Sequence, residues 1–166
     1  MPIIRLALSA DVLSLPAIEA AAGELFRLIG MPEVADDTLP DTEQLTLAAS
    51  DGRVWVATVD DQVVAYAFAV VRDGSAHLEQ VSVHPDHAGQ RIGAALINAV
   101  ASWAHDRGDA RLTLTTFADV PWNAPYYRRL GFRPLPDDVL GPQLAAELTA
   151  ERERFTAPRL AMAREV

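Results

Sequence analysis

The stretch "VSVHPDHAGQRIGAAL", residues 81 to 96, ends a β-prone run, turns at a proline, passes two glycines and an arginine, and resumes with apolar residues at helical spacing. A strand that opens through a loop directly into a helix gathers unpaired backbone N–H groups beside the positive end of the helix dipole, where an anion such as phosphate can sit. Ala88, Gly89, Gln90, Arg91, Ile92, Gly93 and Ala94 are therefore candidate phosphate contacts; the glycines let the main chain approach closely and Arg91 adds charge. Period-two alternation puts Glu79, Val81 and Val83 on one face of the preceding strand unless a bulge intervenes. A second stretch, "NAPYYRRLGF", carries Asn123, Tyr126 and Tyr127 at a short helix that Gly131 can close in the left-handed conformation.

The elements that must hold these groups follow from periodicity. "IIRLAL" is a compact strand, and Leu15, Ile18, Ala22, Leu25, Phe26 and Ile29 then recur as one helix face, with Ser9 or Asp11 as its cap and Gly30 and Pro32 as its stop. An acidic, proline-broken loop precedes a short helix around Glu43 to Ala49. Residues 52 to 83 read as three consecutive antiparallel strands, separated by the turn-prone pairs Asp60–Asp61 and Asp73–Gly74. The period becomes helical from Ile92 to Arg107–Gly108, alternates in "RLTLTTF", and is helical again from Pro125 to Gly131. A strand from Phe132, a helix over Gln143 to Arg154 whose end "ERERF" reads as solvated, and a last strand in "PRLAMAREV" complete a single α+β domain over residues 1–166.

Composition narrows the function classes. The formal net charge of −9 repels nucleic acid, and no apolar run is long enough to cross a membrane. The N-terminus lacks the basic leader and cleavage site of a signal peptide, and the absence of cysteine makes a cytoplasmic location the default. It also removes any thiol nucleophile. His84 and His87 lie three residues apart in a loop, with His77 earlier in the chain, but no third ligand accompanies them, so no metal is expected.

"LEQVSVHPDHAGQRIGAALI", followed later by "NAPYYRRLGF", resembles the motifs of the GCN5-related N-acetyltransferases, and the order of elements is similar along nearly the whole chain. The family's loop pattern is Gln or Arg, two residues, Gly, one residue, then Gly or Ala. It falls on Ala88, Arg91 and Gly93, with Ala88 and Arg91 departing from it. The resemblance implies a mixed α/β fold with a central, mostly antiparallel twisted sheet of about seven strands, flanked by helices and splayed between the fourth and fifth strands.

It further implies that acetyl-CoA is the acyl donor. Its pyrophosphate would lie on residues 88–94, and its pantetheine arm along the backbone of Val81, Ser82 and Val83, in a gap between residues 76 to 83 and 111 to 116. A Val81 or Val83 N–H would polarise the thioester carbonyl. Tyr127, with Tyr126 as the competing candidate, would protonate the departing thiolate, and Glu79, directly or through water, would take the proton of the amine. Asn123 would cap its helix or reach the cofactor. The acceptor implied is an amine of a small molecule or peptide, attacked directly; a non-catalytic acyl-CoA-binding or sensing domain is the alternative. Family members often form homodimers through the sheet edge, with which the apolar "LAMA" is compatible.

Overall fold

Strands β2 (Val54–Val59), β3 (Gln62–Arg72) and β4 (Ser75–Val83) follow one another through two tight turns. Asp60 and Asp61 have φ of 49° and 62°, and Asp73 and Gly74 have φ of 50° and 76°. Two consecutive positive φ values belong to the mirror-image turns whose twist suits a hairpin, and aspartate enters that region more easily than most side chains.

The computed structural model describes Met1 to Val166. Its other elements are β1 (Ile3–Leu6), α1 (Leu15–Arg27), α2 (Pro32–Ala35), α3 (Thr42–Ser50), α4 (Ile92–Asp106), β5 (Arg111–Phe117), α5 (Ala124–Arg129), β6 (Arg133–Leu135), α6 (Pro142–Arg154) and β7 (Arg159–Glu165). The seven strands form one mixed sheet in the order β1-β2-β3-β4-β5-β7-β6, the α+β arrangement expected from the motifs. No helix is long and apolar enough to cross a membrane.

The chain divides into two compact units, one of Met1–Ala69 with Gln80–Val100, the other of Val70–Glu79 with Ala101–Val166. In the first unit β2 pairs antiparallel with both β1 and β3, and α3 packs on β2. Leu15 and Ile18 of α1 and Leu45 and Ala48 of α3 are buried, as are Val54 and Val56. The long helix expected from Ser9 is divided: Ser9–Ser14 is a 3-10 turn and α1 begins at Leu15. Pro16 explains the boundary, because a proline in a helix's first turn lacks an N–H that would have no partner there anyway. Asp11 caps the turn, accepting the Leu8 N–H at 2.7 Å, and pairs with Arg5 at 2.6 Å, whereas Ser14 makes no side-chain cap. α2 lies within the expected loop, and Asp41 caps α3 through the Glu43 N–H at 2.9 Å.

In the second unit β7 runs antiparallel to β5 along Arg111↔Glu165 to Phe117↔Arg159 and antiparallel to β6 on its other side. "LAMA" is therefore no sheet edge, contrary to expectation: β7 is paired on both sides, with Ala161 and Met162 fully buried. Leu144 and Leu148 of α6 pack with Ala161, Leu135 and Leu140. Phe155 meets Phe117 edge-on at 5.2 Å. β4 and β5 run parallel and are joined at His77↔Thr113 alone, so the sheet parts between them. The expected gap from residue 76 thus has its closed end inside that range, at 77 and 113, because His77 and Thr113 also bond through their side chains.

A remote cap sets α6 in place. Asp73, in the second hairpin turn, accepts the Gln143 N–H at 2.9 Å and the Leu144 N–H at 3.0 Å, while Gln143 Oε1 accepts the Asp73 N–H at 2.6 Å. The backbone of Gly141 passes so close that an added Cβ would collide with the Asp73 carboxylate. Gly141→Ala should therefore displace the cap, costing about 1–2 kcal/mol. Thermal denaturation should register a fall in Tm of roughly 2–8 °C.

Candidate active site

The loop expected to hold phosphate follows β4 through a 3-10 turn at Pro85–His87, whose N-cap His84 accepts the Asp86 N–H on Nδ1 at 3.2 Å. Gly89 has φ +77° and Arg91 φ +60°, with Gln90 between them, and α4 begins at Ile92. Left-handed residues alternating with others are the backbone pattern from which anion-binding nests are built, and here they stand on each side of Gln90. The first-turn N–H groups of Ile92, Gly93 and Ala94 precede the first bond of α4, donated by Ala95 to Arg91 O at 3.1 Å. Ala88, Gly89, Gln90 and Arg91 are exposed, whereas the Ile92 side chain is buried and offers a ligand only its backbone. Arg91 occupies the position where the family pattern has glycine, yet keeps a glycine-like conformation. His87 Nδ1 is buried without a hydrogen-bond partner.

On β4, Val81 and Val83 are half-buried like Glu79, while Ser82 is buried and accepts a hydrogen bond from Gln80 Nε2 at 2.9 Å. Val81, Ser82, Val83 and residues 88–94 belong to the first unit; Glu79, Asn123, Tyr126 and Tyr127 belong to the second.

Alternation puts His77 and Glu79 on one face of β4, and Thr113 and Thr115 on one face of β5. Glu147 and Glu151 lie one turn apart on α6 and share a stripe of that helix. The two sets meet. Thr115 Oγ1 donates to Glu151 at 3.0 Å, and Arg159 Nε donates to the same carboxylate at 2.9 Å. Arg72 Nε donates to Glu147 at 3.1 Å, and Arg72 Nη2 stands 3.5 Å from Glu79. His77 Nε2 lies 3.8 Å from both Glu79 and Glu147, and its Nδ1 is 2.8 Å from Thr113 Oγ1.

Burial, then the charge of Glu147, pushes the Glu79 carboxyl up to about 7, against the opposing pull of Arg72. Burial and the nearby Arg72 push His77 down to about 4, so at neutral pH the histidine is uncharged and its 3.8 Å approaches to the two glutamates are not ion pairs. His77, Glu79 and Glu147 offer ligand atoms within 4.8 Å of one another, but the Arg72 guanidinium already brings positive charge to the group. The "ERERF" segment is less solvated than expected, since Glu151 is half-buried between Thr115 and Arg159 and Phe155 is buried.

Tyr127 is buried within α5, edge-on to Phe132 at 5.8 Å and tilted toward Tyr126 at 5.6 Å. Burial and the neighbouring Tyr126 push its phenol above the ordinary range, so it stays protonated. Tyr126 is half-buried, with the Arg129 guanidinium 5.6 Å from its ring centre. Asn123 stands at the N-cap position of α5 but makes no side-chain cap, contrary to the capping expectation: its Nδ2 donates to Trp122 O at 3.2 Å, and its φ and ψ of −110° and −118° lie outside the usual N-cap region.

Sequence reasoning missed Arg72 and Glu147 and considered His77 only as a metal ligand. The period-two relation of His77 to Glu79 was visible in the chain; nothing local brings Glu147 to them, because the contact depends on how α6 is capped by Asp73.

Comparison with known proteins adds a sequence profile described as the acetyltransferase (GNAT) family, which matches residues 20–132. Among solved structures, Rv2747 from Mycobacterium tuberculosis in complex with CoA superposes with a TM-score of 0.75 at 17% identity, covering 99% of each chain. The ribosomal-protein-S18-alanine N-acetyltransferase from Escherichia coli matches with a TM-score of 0.67 at 19% identity, covering 100% of this chain and 94% of its own. N-acetylglutamate synthase from Neisseria gonorrhoeae, complexed with coenzyme A and N-acetyl-glutamate, gives 0.74 at 15% identity; this chain is 99% covered but spans only 35% of that longer protein.

Proposed function

Since the chain belongs to the acetyltransferase (GNAT) family, we propose that it moves an acetyl group from acetyl-CoA to an amine of a small molecule or peptide by direct attack in a ternary complex. Acetyl-CoA supplies the acyl group as a thioester. Residues 88–94 bind the pyrophosphate through the N–H groups around Gly89 and Arg91 and those of the first turn of α4. Val81, Ser82 and Val83 bind the amide-rich arm through their backbone, and a Val81 or Val83 N–H donates to the thioester carbonyl. Glu79 accepts a proton from the amine as the new C–N bond forms and the C–S bond breaks, and Tyr127 gives a proton to the departing sulfur. The chain has no cysteine to carry the acetyl group, which agrees with direct transfer.

The observation that carries this reading is the parting of β4 from β5 beyond His77, on the strand that leads into a loop of left-handed residues at the start of α4. Thiol release from acetyl-CoA across a panel of amines, peptides and aminoglycosides tests it. Acceptor-dependent release supports transfer; binding without release from any of them turns the assignment toward an acyl-CoA sensor.

Arg91 separates two contributions of the loop. Arg91→Gly relieves a left-handed side chain but adds freedom to the unfolded chain, so stability should change by less than about 1 kcal/mol. Losing a charge-assisted contact should weaken CoA binding about tenfold, roughly 1.4 kcal/mol. Thermal melts and calorimetric titration with CoA measure the two effects separately.

A further inference from the structure

Arg72 is shared unequally by two carboxylates. Its Nε makes the shorter bond, 3.1 Å to Glu147, and leaves Glu79 only a long approach of 3.5 Å from Nη2. Other groups around Glu79 cannot take over the role. Glu151 is held by Thr115 and Arg159 at 3.0 and 2.9 Å. His77 Nδ1 is engaged with the Thr113 hydroxyl at 2.8 Å, and its Nε2 stands 3.8 Å from both Glu79 and Glu147, beyond hydrogen-bond distance. Glu79 therefore faces a second carboxylate and holds only the longer arm of a shared guanidinium. A proton on Glu79 would relieve its repulsion with Glu147.

We propose that Glu147 is a positioning residue for Glu79: by taking the shorter hydrogen bond from Arg72, it withholds that guanidinium and keeps Glu79 ready to accept a proton. The placement is built into the fold. Arg72 ends β3 and is followed directly by Asp73, whose side chain caps α6, so the strand end that carries Arg72 is tied to the helix that carries Glu147. The inference rests on the reading of Glu79 as proton acceptor, but its physical content belongs to the free protein.

The groups to be considered in a titration are Arg72 on β3, His77 on β4, and Glu147 and Glu151 on α6. Side-chain carboxyl carbon NMR of the full chain, with the Glu79 signal assigned by its loss in Glu79→Gln, follows that titration without any acceptor. Glu147→Gln should lower the Glu79 midpoint by about one pH unit, a tenfold loss of proton affinity, because a like charge goes and Arg72 is freed for Glu79. Arg72→Met should raise it, and should raise it further in the Glu147→Gln background than alone, since only there does Arg72 serve Glu79 undivided. Glu147→Ala provides the same reading if the glutamine variant does not fold.

An unmoved or raised midpoint in the folded Glu147 variants, or additive shifts in the double variant, overturns the assignment and leaves the Glu79 reading standing. Turnover undiminished in Glu79→Gln overturns that reading instead, whatever the midpoints.

Discussion

Tyr127→Phe should lower kcat about 10²-fold, with the KM for acetyl-CoA changed little. The substitution keeps the ring, and with it the edge-on contact with Phe132 and the tilted contact with Tyr126, so stability should hold. What disappears is the hydroxyl. A departing CoA thiolate gains most from a donor that is protonated when needed, and burial keeps the Tyr127 phenol protonated throughout the working range. The interaction is stronger with the developing thiolate than with the neutral thioester, which is why the loss falls on kcat rather than on binding. Tyr126→Phe, at the half-buried neighbour, is the matched control and should cost little. Steady-state thiol release with both variants decides between the two tyrosines: a large loss in Tyr126→Phe with none in Tyr127→Phe would reverse the roles.

Glu79→Gln should cost about 10²-fold in kcat and remove the acid limb of the rate profile. The sign follows from the role. Only the ionised carboxylate accepts a proton, so below its midpoint the rate should fall tenfold per pH unit. Burial and Glu147 push that midpoint up to about 7, well above the ordinary range of a glutamate. Wild-type activity should therefore climb through pH 7, while the glutamine variant shows a low rate without that inflection. An aliphatic amine acceptor titrates near 10, so its own limb is separable. A wild-type acid limb at pH 4 to 5 would mean that Glu79 is not tuned as burial and the neighbouring Glu147 require.

The parts of the fold legible in the chain were those with local causes. Asp60–Asp61 and Asp73–Gly74 announced the two hairpins because two-residue turns with positive φ select such residues, and the structure has both. α4 and the loop before it were legible from the change of period at Ile92 and from Gly89. The parting of β4 and β5 came from the family resemblance rather than from periodicity, and its closed end at His77 and Thr113 was not foreseen because it depends on a side-chain bond between strands distant in sequence.

The misses share that cause. The position of β7 between β5 and β6 cannot be read from "LAMA", since an apolar run suits an interior strand as well as a covered edge. The start of α1 is the exception, for Pro16 sets it locally as a residue suited to a helix's first turn. At the candidate site Glu79 and Tyr127 were reachable from spacing and resemblance. Arg72 and Glu147 were not, for they meet only after a turn aspartate has capped a helix some seventy positions further on.

Amide hydrogen exchange of the full chain with and without CoA tests the central claim most directly. The account predicts slowed exchange at Val81–Val83 and at Gly89–Ala94, with α6 and β7 unaffected. Unchanged exchange in the loop at saturating CoA, or protection confined to other segments, would contradict it.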